Sequence, residues 1–294
     1  MAGSKEIKAR IKSVKNTGKI TKAMELISTV KMKKAQESAV HARPLALEAA
    51  RVLRHLGNIS DSNSLSLNEP KELILVIASN KGLCGGYNVN VFKEIANEVR
   101  NNPEMKFEFV TAGKRARDFV QRTGQKLVGD FSDVLKDTIT PKDAKLVSRF
   151  LQKLFLEGGY SRVRIVYSHF LSAINQKPII KTLLPLTEAE IVRFFEDIGA
   201  PISQGTSHIE YEFEPSIEVI TETILPMIYD LIVYEGFLEA KASEHASRMI
   251  AMKNAKDSAN KKVKGLTLSF NKARQANITK EVSEIVSGVE SMKD

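Results

Sequence analysis

The sequence predicts a protein of the α/β class: long N- and C-terminal helices paired as an antiparallel coiled coil, with a central Rossmann-like α/β domain between them. Three observations carry this. Apolar and small residues recur every three and four positions from residue 5 to about 56, and the same repeat returns from Ile217. The stretch between them alternates short β-type apolar runs with helical ones. The corresponding segments are 1–60, 70–213 and 214–294.

In the first segment Pro44 and Gly18 are the only helix breakers, and most other residues favour helix. One heptad column reads Ile7, Val14, Thr21, Ser28, Ala35, Ala42, Ala49, Leu56; the other reads Ile11, Gly18, Glu25, Met32, Ala39, Ala46, Leu53. The seam is apolar at its ends and small in its middle, which lets a partner helix approach closely. Gly57 and the SDSNS run after it end the helix.

The second segment has the columns Ile217, Ile224, Leu231, Leu238, His245, Met252, Ala259, Leu266 and Ile220, Met227, Tyr234, Lys241, Arg248, Ala255, Lys262, Ser269. Pro226 either kinks this helix or marks its start. An amphipathic stretch, Ile278, Val282, Ile285, Val286, Val289, closes the chain. Neither pattern demands globular packing, and a chain that leaves along one helix and returns along the other pairs them antiparallel.

Between them, strands are expected at 73–78, 107–111, 126–128, 163–169 and 179–184, and helices near 88–101, 113–123 and 141–157. This alternation predicts a mainly parallel sheet. A short helix is expected at 187–199 and a strand at 210–214.

At 294 residues and 43% apolar content the chain has enough material for a core. Its longest unbroken apolar run, 73–78, is far shorter than the roughly 18–20 residues that span a bilayer. The N-terminus has neither the apolar core nor the cleavage site of a secretory signal, so residue 1 is read as the mature start. The single cysteine, Cys84, excludes an internal disulfide and fits a reducing compartment. The net charge of +9 is concentrated: residues 1–60 hold thirteen Lys and Arg against four Glu. A second basic stretch, 253–280, holds eight against one Asp. The lysines of the first helix, from Lys5 to Lys34, are expected to spread around it and so face several partners. Nucleic acid is one class of partner for such charge, although no aromatic residues interleave with it; an acidic protein surface is the other.

The loop SNKGLCGGYN, residues 79–88, follows an expected strand and invites comparison with phosphate-binding loops. Lys81 precedes its glycines where a P-loop lysine follows them, and Gly82, Gly85 and Gly86 do not have the dinucleotide spacing. A tight strand-to-helix turn needing glycine's freedom explains it better. Lys81 beside Cys84 could activate the thiol, but a lone cysteine more often packs. The five histidines form no metal-binding spacing. Ser243, Glu244 and His245 are consecutive and do not face one another on a helix. These observations favour an interaction protein over an enzyme.

Four segments now stand out together: KITKAMELISTVKMKKAQ (19–36), SNKGLCGGYN (79–88), SEHASRMIAMKNA (243–255) and NKARQANITKEVSEIVSG (271–288). In order and position they resemble the γ subunits of F-type ATP synthases, over essentially the whole chain. The family's C-terminal signature is matched by Ile278, Thr279, Glu281, Glu284 and Gly288, with Val289 where alanine is usual. The resemblance implies a central rotor shaft whose coiled coil enters an α₃β₃ ring, with the α/β domain at its foot beside an ε subunit and a membrane c-ring. It implies that catalysis belongs to the β subunits, and that this chain binds neither nucleotide, nor another cofactor, nor nucleic acid. Membrane association would come only through the complex, peripherally, on the cytoplasmic face of a bacterial inner membrane. Arg274 and Gln275 match the pair that bonds a β loop; Met24, Lys31, Lys33 and Lys34 fall in the motif facing β's C-terminal domain. The 81–86 turn, with Lys81 and Cys84, matches the segment approaching that same domain. One cysteine leaves no room for the thiol switch of chloroplast-type relatives.

Overall fold

The computed structural model describes residues 2–55, 71–157, 159–186 and 216–290. The elements run α1 (Ala2–His55), β1 (Lys71–Ile77), α2 (Tyr87–Asn101), β2 (Lys106–Ala112), α3 (Lys114–Arg122), β3 (Lys126–Asp130), α4 (Pro141–Leu156), β4 (Arg162–Phe170), β5 (Gln176–Leu184) and α5 (Ile217–Glu290). Every strand and helix expected between residues 73 and 184 is present. The helix expected at 187–199 and the strand at 210–214 lie outside the described residues.

The five strands form one sheet in the order β3-β2-β1-β4-β5, parallel except for the β4–β5 hairpin. Strand β1 is central, and its run of Leu73, Ile74, Leu75, Val76 and Ile77 is completely buried, because both faces of the sheet are covered. Ile74 and Val76 pack with Val91 and Ile95 of α2 and Ala116 and Val120 of α3. On the other face Leu73, Leu75 and Ile77 pack with Val147 and Leu151 of α4 and with Ile228, Ile232, Val233 and Phe237 of α5. Helix α4 starts at a full capping box, Thr140 with Asp143, followed by Pro141.

Two compact units are separable: Met1–Ser28 with Arg248–Asp294, and Thr29–Ser247. In the first, the least exposed residues of α1 between 5 and 23 are Ile7, Ile11, Val14, Gly18 and Thr21, the two heptad columns. A Cβ on Gly18 would lie 3.5 Å from the Ala259 Cβ, so the helices do meet closely at small residues. Lys256 Nζ pairs with Glu25 Oε2 at 2.8 Å, and the hydrogen bond to Glu25 raises the Lys256 pKa. These contacts, 18 with 259 and 25 with 256, run in opposite chain directions.

Helix α5 begins at Ile217, so of the two readings of Pro226 the start is excluded and the proline is internal. Two expectations for α5 need correction. Its second column shifts by one residue: Lys262 and Ser269 are exposed, while Val263 and Phe270 are half-buried, as are Ala273 and Asn277 beyond them. At 263 and 270 the apolar side chains one position further on take the seam. Finally, residues 228–246 are buried on nearly every side, so this part of the helix belongs to the globular core.

At the amino end of the sheet Glu108 is almost fully buried and accepts from Lys126 at 2.9 Å and Tyr160 at 2.7 Å, with Lys71 at 3.0 Å. Burial alone would push its carboxyl up; the bonds from Lys126, Tyr160 and Lys71 outweigh this and hold it down at about 2. A depressed carboxylate contributes stability above its unfolded pKa and loses it as pH falls through the folded one. Glu108 therefore contributes about 3 kcal/mol that disappears between roughly pH 4.5 and 2. Glu108→Gln should flatten the stability profile in that window, read by urea titration at a series of pH values. Gly113, at φ +110°, ends β2, and a Cβ there would lie 2.0 Å from the Ala78 carbonyl oxygen. Gly113→Ala should cost about 3 kcal/mol or more, read as a lowered midpoint in the same titration.

Candidate functional site

The strand order reverses between β1 and β4, and in open α/β sheets the carboxyl ends of the strands at such a point are where ligands enter. In this chain α5 occupies that place. Gly236 lets the helix approach the sheet, with Ile165 Cδ1 only 2.9 Å from where a Cβ would stand. Further along, Ser243 Oγ donates to the Ser168 carbonyl at 2.8 Å, and Ser247 Oγ donates to the Cys84 carbonyl at 2.6 Å. His169 Nδ1 and Glu239 Oε2 are 2.6 Å apart.

The glycine-bearing loop is held from inside. Asn88 Oδ1 accepts from the Ser79 amide at 3.0 Å, and Asn88 Nδ2 donates to Cys84 Sγ at 3.3 Å. Ser79 Oγ donates to the Lys81 carbonyl at 2.7 Å. Asn80 ties the loop to its neighbours: Nδ2 donates to the carbonyls of Ser132 and Leu135, and Oδ1 accepts from the Lys114 amide. Leu83 and Gly85 take left-handed backbone, at φ 61° and 56°. For leucine this is an unusual conformation, and it turns the side chain outward, 63% exposed. Cys84 is only 2% exposed. Its thiol packs inside the loop, so the outer face consists of Lys81, Leu83, Gly85 and Gly86, and the thiol itself is not part of it.

The lysines of α1 divide into two groups. Lys31 pairs with Asp137 at 2.7 Å, and Lys34 donates to Thr138 Oγ1 at 3.4 Å, both in the segment before α4. The Lys31 ammonium holds the Asp137 carboxyl below the usual carboxylate range. Met32 is buried between them in sequence, Lys33 is exposed and Met24 is half-buried. Lys5, Lys8, Lys12, Lys15, Lys19 and Lys22 are all exposed. Their spacing of three and four places them within roughly 100° of arc on an α-helix. These six form one stripe, but Arg10, also exposed, and Lys31 lie off it, so the basic residues of α1 taken together are not confined to one face. Both basic stretches contribute to the same unit, which holds seventeen Lys and Arg against seven Asp and Glu.

Arg274 and Gln275 are exposed, while Ala273 and Asn277 on either side of them are half-buried. The signature residues Ile278, Thr279, Glu281, Glu284 and Gly288 are exposed as well. Ile278, Val282, Ile285 and Val286 are each at least half exposed, so the last turns of α5 carry apolar surface with no cover among the described residues. The consecutive Ser243, Glu244 and His245 do point apart: Ser243 reaches β4, Glu244 pairs with Lys241 at 3.1 Å, and His245 is buried. The roles of Ser243, Ser247, Asn80 and Asn88 are not evident from the sequence. The Ser-x-x-x-Ser spacing on a helix was the one available signal.

Asn88→Ala removes the acceptor of the buried Ser79 amide and should destabilise the α/β unit by about 1–3 kcal/mol. Cys84 should then react faster with an aromatic disulfide reagent under native conditions; an unchanged rate would mean that Asn88 does not hold the loop closed.

Comparison with known proteins gives one consistent result. The model of the ATP synthase family matches residues 3–292. The ATP synthase γ chain of Heliobacterium modesticaldum is 38% identical over 99% of this chain and 100% of its own length. That of Pelotomaculum thermopropionicum is 37% identical, with both chains covered completely. Among solved structures, a chain of the Euglena gracilis mitochondrial ATP synthase rotor superposes with a TM-score of 0.65 at 18% identity, covering 94% of this chain and 99% of that one. With a paired-helix unit, a five-stranded α/β unit and relatives aligned from end to end, the chain belongs to the γ-chain family of F-type ATP synthases, the central-stalk subunits.

Proposed function

We propose that this chain is the rotor shaft that transmits torque between a membrane c-ring and a catalytic α₃β₃ head, coupling proton flow to ATP synthesis or hydrolysis. The observation that carries the reading is the paired-helix unit: a narrow seam closed by small residues, with charged and apolar side chains left uncovered around it. Close backbone approach makes a thin, stiff rod, and the uncovered surface is what an enclosing ring would contact. The chain performs no catalysis of its own and holds no cofactor. Support for this is geometric, since α5 fills the place where an α/β sheet of this order takes a ligand.

The partners on this reading are the α and β subunits, ε and the c-ring. Arg274 and Gln275 bond a loop of β. Lys33, Lys81 and Leu83 are offered to β's C-terminal domain; Lys31 and Lys34 serve it indirectly by fixing the segment before α4. Met24 packs in support of the same surface. Association with the membrane is peripheral, on the cytoplasmic face of a bacterial inner membrane. Among the described residues no helix is long and apolar enough to cross one.

The test is reconstitution. The purified chain alone should hydrolyse no ATP, and mixed with α and β it should co-purify with them and restore rotation-coupled hydrolysis; failure to co-purify would overturn the reading. Arg274→Ala or Gln275→Ala should lower coupled turnover roughly five- to tenfold, the weight of one hydrogen bond of about 1 kcal/mol, with assembly retained. Loss of assembly would make these two residues structural.

A further inference from the structure

Two kinds of interaction hold α5 in the α/β unit, and they resist different motions. Apolar packing is non-directional; it opposes lifting the helix from the sheet more than turning it about its own axis. Hydrogen bonds are directional and fix the azimuth. Glu239, Ser243 and Ser247 are spaced i, i+4, i+8 and so form one stripe of the helix. Each reaches across to another element: Glu239 Oε2 to His169 Nδ1 at 2.6 Å, Ser243 Oγ to the Ser168 carbonyl at 2.8 Å, and Ser247 Oγ to the Cys84 carbonyl at 2.6 Å.

The two serines differ from several other helical hydroxyls among the described residues. Ser38, Thr267 and Ser269 each donate to the carbonyl four residues back in their own helix, at Lys34, Val263 and Gly265. Ser243 and Ser247 donate outward. Their acceptors are main-chain carbonyls at the carboxyl ends of neighbouring strands, one in β4 and one in the loop after β1, and cannot follow a turning helix by changing rotamer. A serine tether is a single χ angle long. A helix surface atom sits about 5 Å from the axis, so a roll of about 20° moves it about 2 Å sideways and stretches both serine contacts past the usual O–H···O range of about 2.5–3.0 Å.

We propose that Glu239, Ser243 and Ser247 are positioning residues that lock the roll of α5. Torque applied to the α/β unit then passes into the continuous helix and is not lost as rotation of the helix within its seat. This rests on the rotor reading given above.

The experiment uses the full chain reconstituted with α and β. A bead is attached at an Asn97→Cys site on the exposed side of α2; Cys84 is buried and leaves that site the one accessible thiol among the described residues. With the complex arrested by a non-hydrolysable ATP analogue, the angular variance of the bead reports torsional stiffness. Ser243→Ala with Ser247→Ala should raise that variance roughly threefold, as expected when two of three parallel constraints are removed, with the unloaded hydrolysis rate unchanged. Ser247→Thr alone, which keeps both hydroxyls, should hold the parent value. Val120→Ala opens a cavity on the opposite face of the sheet; it should lower the melting temperature and leave the variance alone. Should the double variant fail to fold, Ser247→Ala alone, at a half-buried position, carries the same test. Unchanged variance in a complex that rotates normally overturns the roll lock and leaves the rotor reading standing. A parent complex that does not rotate overturns both. An equal rise for Val120→Ala also overturns the proposal, since general loosening would then explain the effect.

Discussion

One helix has to satisfy two environments. Residues 228–246 of α5 are buried on nearly every side, while beyond Met252 only one residue in three or four is shielded. A helix interior to a domain can carry few large polar groups unless they are paired, yet this stretch includes Glu235, Glu239, Lys241, Glu244 and His245. The arrangement works because partners are close: His169 for Glu239, and Lys241 and Glu244 for each other. Small residues at Gly236 and Ala240 let the backbone sink toward the sheet. The covering of one face of the sheet and the closing of the glycine loop both depend on how this one segment is seated.

Filling the switch point with the chain's own helix also explains the loop after β1. In a nucleotide-binding sheet that loop turns its backbone donors to phosphate. Here the significant atom is an acceptor, the Cys84 carbonyl, which takes both the Tyr87 amide and the Ser247 hydroxyl. The left-handed residues on either side of Cys84 aim that carbonyl and bury the thiol. The loop at this place serves an internal contact.

Much of this was legible before the structure. The strands stood out because β1, β2 and β4 are apolar runs covered on both faces, and the seam of α1 because a paired helix shields one residue in three or four and leaves strong contrast. The buried half of α5 was not legible for the converse reason. A helix covered all round has no periodic contrast, and charged residues such as Lys241 and Glu244 read as a solvated face when they are an internal ion pair. The one-residue shift of its second column follows from the same loss of phase: columns extended from Ile217 carry a register that the paired stretch does not use. Of the candidate site residues, Arg274 and Gln275 were singled out only through resemblance and the loop first by its glycines, whereas Ser243 and Ser247 required knowing which carbonyls lie opposite them.

The lysine stripe on α1 concentrates part of the positive charge of the paired-helix unit, which holds seventeen Lys and Arg against seven Asp and Glu. A molecule of that kind does not approach an acidic surface at random: the field orients it before contact, with a reach set by a Debye length of about 8 Å at physiological salt. Raising the ionic strength would slow capture far more than it would loosen the finished assembly. Charge placement on this helix thus bears on how the subunit is put into its complex, apart from what it does once there.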